Sequence, residues 1–170
     1  MTLIREESCC FTGHRRIAPQ EAQQARLLLR QEIARLEKGG VDTFLAGGAM
    51  GFDTLAAQEV LRARGSLLPW LRLVLVLPCL GQESRWPARD AAVYRGLLRQ
   101  ADQVIYTADV YSKGCMFQRN RFLVEHSAHC ICFLKDRARG GTAYTVGYAR
   151  QQGLPVVNLA APESLPGSPA

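Results

Sequence analysis

Apolar and polar positions along the chain alternate between two periods, short unbroken apolar runs and longer stretches with apolar residues at three- and four-residue steps. Ser8 to Phe11 is a first apolar run and predicts a strand. Pro19 opens a helical pattern, a favoured place for proline, with Ala22, Ala25, Leu28, Leu29, Ile33 and Leu36 on one face. Gly39-Gly40 ends it, and Val41 to Ala46 predicts the second strand. From Asp53 to about Arg64 the helical period returns, with Leu55, Ala56, Val60 and Leu61 inward and Gln58, Glu59, Arg62 and Arg64 outward. Leu71 to Leu77 is nearly all apolar, as for a strand buried on both faces, and Pro78 stops it. A polar loop with Trp86 precedes a helix over 88–100. Gln103 to Thr107 predicts a fourth strand, Met116 to Glu125 a helix, and Ala128 to Leu134 a fifth strand. After the basic loop from Asp136 to Gly141 come a helix from Thr142 to about Gln152 and a last strand, Pro155 to Leu159. The tail from Ala161 holds three prolines and a glycine and is expected to be disordered.

Strand and helix alternate throughout, which predicts one Rossmann-like α/β domain over 1–160, a mostly parallel sheet with helices on both faces. In such a sheet every strand-to-helix turn falls on the carboxyl edge, where open α/β folds bind ligands. Three of these turns carry chemistry. Gly47-Gly48-Ala49-Met50-Gly51 leads into Asp53; its glycines let backbone amides approach an anion, and the following helix start adds unpaired N–H groups. It is neither the dinucleotide fingerprint nor a Walker loop. Without a ligand the same glycines serve a tight turn with positive φ. Gly140-Gly141-Thr142 repeats the design, with Thr142 either gripping a phosphate or capping its helix. Thr12-Gly13-His14-Arg15 sets a hydroxyl, an imidazole and a guanidinium at the end of the first strand, and Arg15 suits forked pairing with phosphate. Asp53 can cap its helix, bind a ribose hydroxyl or act as a base. Arg119-Asn120-Arg121 lies on a helix, where an exposed basic face is the plain alternative to a ligand contact. His126 and His129 read as structural, and Trp86 as packing against the sheet or stacking on a base.

Composition narrows the setting. A chain of 170 residues, 48% apolar, suffices for one full core. The longest apolar run, Leu71 to Leu80, is broken by Arg72 and Pro78 and falls well short of a membrane span. Arg5, Glu6 and Glu7 near the start leave no apolar signal core, so a cytoplasmic site of action is expected. The six cysteines form no C-x-x-C pair; they are read as reduced small hydrophobes, and no metal is expected, zinc at Cys130 and Cys132 lacking a matching second pair. The net charge of +6 suits anionic partners, nucleotides or nucleic acid, although the arginines are scattered over the helices.

Taken in order, Thr12-Gly13-His14-Arg15, Gly47-Gly48-Ala49-x-Gly51-x-Asp53, Pro78 with Gln82 and Trp86, Arg119-Asn120-Arg121, and Gly140-Gly141-Thr142-x-x-Thr145 with Tyr148-Ala149 resemble the YspA/YpsA-like branch of the SLOG superfamily. That superfamily groups the DNA-processing protein A and LOG families. The resemblance spans about residues 8–159. It implies a Rossmann-like fold and a site for a nucleotide-derived ligand such as ADP-ribose, NAD or a nucleoside monophosphate, lined by Thr12, Gly13, His14, Arg15, Gly47, Gly48, Gly51, Asp53, Gly141 and Thr142. Met50, Gly140, Arg119, Asn120 and Thr145 complete the candidate set. No cofactor beyond such a ligand is implied. LOG proteins cleave the N-glycosidic bond of nucleoside monophosphates, and their glycine motif continues G-T-x-x-E. Thr145 stands at the glutamate's position here, and a hydroxyl does not replace a carboxylate that stabilises positive charge on a departing sugar. Asp53, or Glu83, is the remaining carboxylate candidate for catalysis. The expected function is therefore a sensor or regulatory module that binds a nucleotide-like ligand. A hydrolase of an N-glycosidic or phosphoester bond is the first alternative. DNA binding, marked by affinity falling steeply with salt, is the second. Likeness to LOG proteins also implies a homo-oligomer.

Overall fold

The computed structural model describes residues 2–135 and 140–160. Among them six strands and five α-helices alternate: β1 (Ser8–Gly13), α1 (Pro19–Lys38), β2 (Thr43–Ala46), α2 (Phe52–Arg64), β3 (Arg72–Leu77), α3 (Ala88–Gln100), β4 (Gln103–Tyr106), α4 (Cys115–Glu125), β5 (His129–Phe133), α5 (Gly141–Gln151) and β6 (Val156–Asn158). A short 3-10 turn, Arg5–Glu7, precedes β1 and has no periodic signature. Two expectations, the tail from Ala161 and most of the loop from Asp136, lie outside the described residues.

All strand pairs are parallel, in the order β4-β3-β2-β1-β5-β6. The chain winds outward from β1 to β4, then crosses back through α4 to place β5 on the other side of β1. The order therefore reverses between β1 and β5, and a crevice opens at the carboxyl edge of such a switch point. The two faces divide accordingly. Cys9, Phe11, Phe44, Leu73 and Leu75 point into a core with α1, α2 and α3. Cys10, Leu45, Val74, Cys130 and Cys132 point into a second core with α4 and α5. The four strand cysteines pack in these cores as small apolar side chains; all six cysteines are buried, and none forms a disulfide among the described residues.

Helix α1 starts at Pro19 and buries Ala25, Leu28, Leu29, Ile33 and Leu36, as its period requires. It is fastened to α2 by an ion cluster. Glu59 accepts from Arg26 at 3.0 Å and from Arg30 at 2.7 Å. Glu59 is 3% exposed, which corrects its outward reading: the carboxylate is drawn inward because two guanidiniums from the neighbouring helix meet it there.

Beneath the carboxyl edge of the central strands lies a cluster of rings. Phe11 stacks on Phe44 at 5.7 Å, meets Phe52 edge-on at 6.3 Å, and Phe52 stacks on Phe133 at 6.0 Å. Phe52, the first residue of α2, is fully buried. A Cβ on Gly13 would sit 2.5 Å from the Phe52 side chain. Glycine at the end of β1 thus lets α2 press its first residue under the β1–α1 loop.

Candidate functional site

The three turns singled out in the sequence follow β1, β2 and β5, adjacent strands at the centre of the sheet. Between them, roofed by α4, is a cavity of about 300 Å³. It is lined by Thr12, Gly13, His14 and Arg15 from the first turn, Ala49 and Asp53 from the second, and Gly140, Gly141 and Thr142 from the third. Helix α4 contributes Met116, Arg119, Asn120 and Leu123. Other candidates lie outside it. Gly47 packs against Arg119 and Asp53, Gly48 faces away toward Leu77, Tyr94 and Gln82, Met50 and Gly51 face a neighbouring groove, and Thr145 donates its hydroxyl to Gly141 O at 2.8 Å inside α5. A wider groove of about 570 Å³, walled by Tyr106, Phe117 and Tyr144, lies between β4 and α4 and holds Arg121 alone of the motif residues singled out in the sequence.

The loop holding His14 and Arg15 is fixed at both ends. His14 O accepts from Phe52 N at 3.0 Å. A Cβ on Gly51, which has φ 79°, would lie 2.5 Å from His14 O, so a side chain there would push the loop away. The ring of His14 accepts at Nε2 from Lys135 N at 2.9 Å, which leaves the proton of the neutral ring on Nδ1. Lys135 in turn pairs with Glu21 at 2.7 Å and holds its carboxyl below the usual range. The first turn is thereby tied to the end of β5.

Arg119 and Asp53 form the polar floor. Arg119 is 4% exposed; it donates to Gly47 O, to Val76 O at 3.4 Å and to Asn120 Oδ1 at 2.8 Å. The exposed basic face read from Arg119-Asn120-Arg121 therefore holds for Arg121 alone, since Arg119 and Asn120 are turned into the sheet edge. Asp53 accepts from Ala49 N at 3.2 Å. Burial pushes its carboxyl up to about 6, opposed by the Arg119 charge and the Ala49 N–H. Burial also lowers Arg119, opposed by Asp53. Gly47 separates the two: a Cβ there would be 2.6 Å from Arg119 Nη1 and 2.9 Å from Asp53 Oδ2. Neither Asp53 nor Thr142 is a helix cap. Gly51 and Gly140 take those positions, and both polar residues sit in the first turn.

The wall opposite offers donors. Thr12, Asn120 and Thr142 are 6, 9 and 7% exposed, yet among the described residues nothing pairs with either hydroxyl or with Asn120 Nδ2. Gly140, at φ 103°, is the N-cap of α5 and supplies no side-chain cap, so among the described residues no side chain closes the first N–H groups of the helix. Arg15 is exposed, and among the described residues its guanidinium meets Met116 Sδ at 3.9 Å. Met116, which also meets Arg119 at 3.9 Å, is a site residue that periodicity does not separate from ordinary core. Trp86 packs edge-on against Tyr94 at 5.2 Å, beside the core rather than in the cavity. Among the described residues no group of three His, Cys, Asp or Glu is placed to hold a metal, and no helix is long and apolar enough to cross a membrane.

Fold and site together define a Rossmann-like α/β protein with a donor-rich cavity at its topological switch point. The model of the YspA SLOG family matches residues 11–155, and the chain belongs to that family. Similar proteins include a UPF0398 protein of Bacillus pumilus, 27% identical over 73% of this chain and 67% of its own length. Another, from Halalkalibacterium halodurans, is 29% identical over 79% of this chain and 74% of its own. The fold matches DNA processing protein A of Helicobacter pylori, described for its single-stranded DNA binding mode, with a TM-score of 0.61 at 22% identity, over 89% of this chain and 64% of that one. The protein TM1055 matches with a TM-score of 0.58 at 19% identity, over 88% and 72%.

Proposed function

We propose that the switch-point cavity binds an anionic, nucleotide-type ligand and that the protein acts as a sensor or regulatory module. One observation carries this reading: three polar side chains, Thr12, Asn120 and Thr142, line the cavity beside the start of α5, which has no side-chain cap. Hydroxyl and amide groups there can donate to an oxyanion, and a helix N-terminus favours a phosphate or carboxylate. Arg15, which meets no carboxylate among the described residues, adds a forked donor at the rim. Thr12, Gly13, His14, Arg15, Asp53, Arg119, Asn120, Gly140, Gly141 and Thr142 form the proposed site; Gly47 and Gly51 shape it. A homo-oligomer in the cytoplasm belongs to the same proposal, on the resemblance to LOG proteins and the use of cysteine as a small hydrophobe.

A hydrolase is the second reading, favoured by the position of Asp53. It lines the cavity, and a carboxyl pushed up to about 6 is suited to proton transfer near neutral pH. Thr145 offers no carboxylate in its place, and its hydroxyl is engaged within α5.

Calorimetric titration with AMP, ADP-ribose and NAD, with each sample assayed afterwards for breakdown products, separates the readings. Binding without breakdown is expected. Arg15→Ala is expected to weaken binding about tenfold or more, the scale of a lost charge-assisted pair, with an unchanged melting temperature because the side chain is exposed. Breakdown that disappears in Asp53→Asn would make the protein a hydrolase. No binding by any of the three, with affinity for single-stranded DNA that falls with salt, would transfer the site to nucleic acid.

A further inference from the structure

Two of the six cysteines stand apart from the rest. Cys9, Cys10, Cys130 and Cys132 lie on strands inside the two cores. Cys79 and Cys115 belong to no strand: Cys79 follows β3 at the carboxyl edge, and Cys115 is the first residue of α4. The stretch after β4 brings them together. It is laced back onto the end of β3, with Thr107 N donating to Leu77 O at 2.9 Å and Leu80 N to Asp109 O at 3.3 Å. It then turns at Gly114, φ 96°, into α4. Residues one turn apart share a helix face, so Cys115 points the way Arg119 does. Arg119 donates to Val76 O at 3.4 Å, in the strand that leads to Cys79. The two thiols meet there. Burial pushes the Cys79 thiol up, and the neighbouring Cys115 thiol, through its charge and its hydrogen bond, pushes the same way. Cys79 and Cys115 are 2 and 1% exposed, yet both lie close beneath the surface. Leu80, beside Cys79, is 61% exposed, and Gly114, beside Cys115, is exposed as well.

We propose that Cys79 and Cys115 form an oxidisable dithiol, a modification site at the start of the cavity's roof helix whose co-reactant is a small hydroperoxide. It holds whatever the cavity binds. The deprotonated Cys115 sulfur attacks a peroxide oxygen. The O–O bond breaks, the electron pair leaves on hydroxide or alkoxide, which takes up the proton Cys115 released, and Cys115 becomes a sulfenic acid. The Cys79 sulfur then attacks the Cys115 sulfur. The S–O bond breaks, the departing hydroxide takes the Cys79 proton, and a disulfide and water remain. The dithiol loses two electrons and the peroxide gains them. Cys79 is the resolving partner because burial holds its proton. A thiol reductant reverses the step. In a reducing compartment such pairs are transient and serve to sense oxidant. An S–S bond of about 2 Å draws the start of α4 onto the end of β3. That helix carries Met116, Arg119 and Asn120 over the cavity, so the link acts on the roof of the site.

Hydrogen peroxide, added to the folded and fully reduced 170-residue protein, tests this in wild type, Cys79→Ser and Cys115→Ser. Peptide mapping by mass spectrometry without reductant is expected to show a Cys79–Cys115 link in wild type that dithiothreitol removes. The linked protein is expected to melt roughly 5–15 °C higher than the reduced one, the scale for a disulfide closing a long loop in a domain of this size. In Cys79→Ser, Cys115 is expected to stop at the sulfenic acid, captured by dimedone, with no link and no rise in melting temperature. Cys115→Ser is expected to give neither link nor adduct. Circular dichroism before oxidation confirms the fold of each variant, and if one fails to fold the other decides. No link in wild type, a link between other cysteines, a link that forms only when urea unfolds the chain, or a linked protein that melts no higher than the reduced one would each overturn the dithiol site.

Discussion

Asp53 is a buried carboxyl that folding places in a poorer environment for its charge than water, and replacing it with asparagine isolates that effect. Its ordinary value of 3.8 rises to about 6 in the folded protein, because desolvation outweighs Arg119 and the Ala49 N–H. The gap of about two pH units corresponds to ~3 kcal/mol. Below the unfolded value the group is protonated in both states and there is no charge to bury. As pH rises through the interval, the unfolded chain releases the proton while the folded chain retains it, so stability falls. Above the folded value the whole penalty is present. The amide introduced by Asp53→Asn is neutral throughout, and Arg119 would face it much as it faces the neutral acid at low pH. The stability of Asp53→Asn relative to wild type is therefore expected to rise by ~3 kcal/mol between about pH 4 and about pH 7. Urea unfolding followed by circular dichroism at four pH values measures the difference, in which the other titrating groups cancel. A difference that stays flat across this window, or one that falls with pH as for a carboxylate stabilised by its partner, would refute the assignment of desolvation as the winning effect.

The ring cluster beneath the site gives a second expectation: Gly13→Ala forces a methyl to 2.5 Å from Phe52 and is expected to destabilise the fold by about 1–3 kcal/mol. An unchanged melting temperature would show that Phe52 is free to move. Glu59→Gln keeps the shape of the α1–α2 clasp but removes the charge that meets Arg26 and Arg30. Because those arginines are 33 and 39% exposed, a loss of about 1–2 kcal/mol is expected, less than for a fully buried pair, and equal stability in chemical denaturation would make the clasp dispensable.

The apolar runs and helical periods predict every α-helix and strand among the described residues to within about two residues, because burial on a two-faced sheet imposes those periods directly. Pro19, Gly39 and Pro78 act locally and mark their boundaries for the same reason. The glycines were legible as turns, but their separate roles were not. Gly13 yields to Phe52, Gly47 to Arg119 and Asp53, and Gly51 to the His14-Arg15 loop, all neighbours set by tertiary packing. Glu59 and Arg119 show the same limit from the other side. Each has a polar residue's sequence signature and reads as solvated, yet each is buried because partners from another element meet it.

The sequence by itself determines a parallel α/β domain, the three glycine turns at its carboxyl edge and the membership in the YspA SLOG family, since periodicity, turn chemistry and motif order are all local properties of the chain. Only the tertiary structure decides that those turns converge. Strand order depends on which strands pair, and pairing is non-local: the return through α4 brings β5 beside β1 and opens the switch-point crevice. That same return carries Arg119, Asn120 and Met116 over the crevice, sets Thr12 and Thr142 in the same cavity as Asp53, and leaves Arg15 between a small cavity and a longer groove.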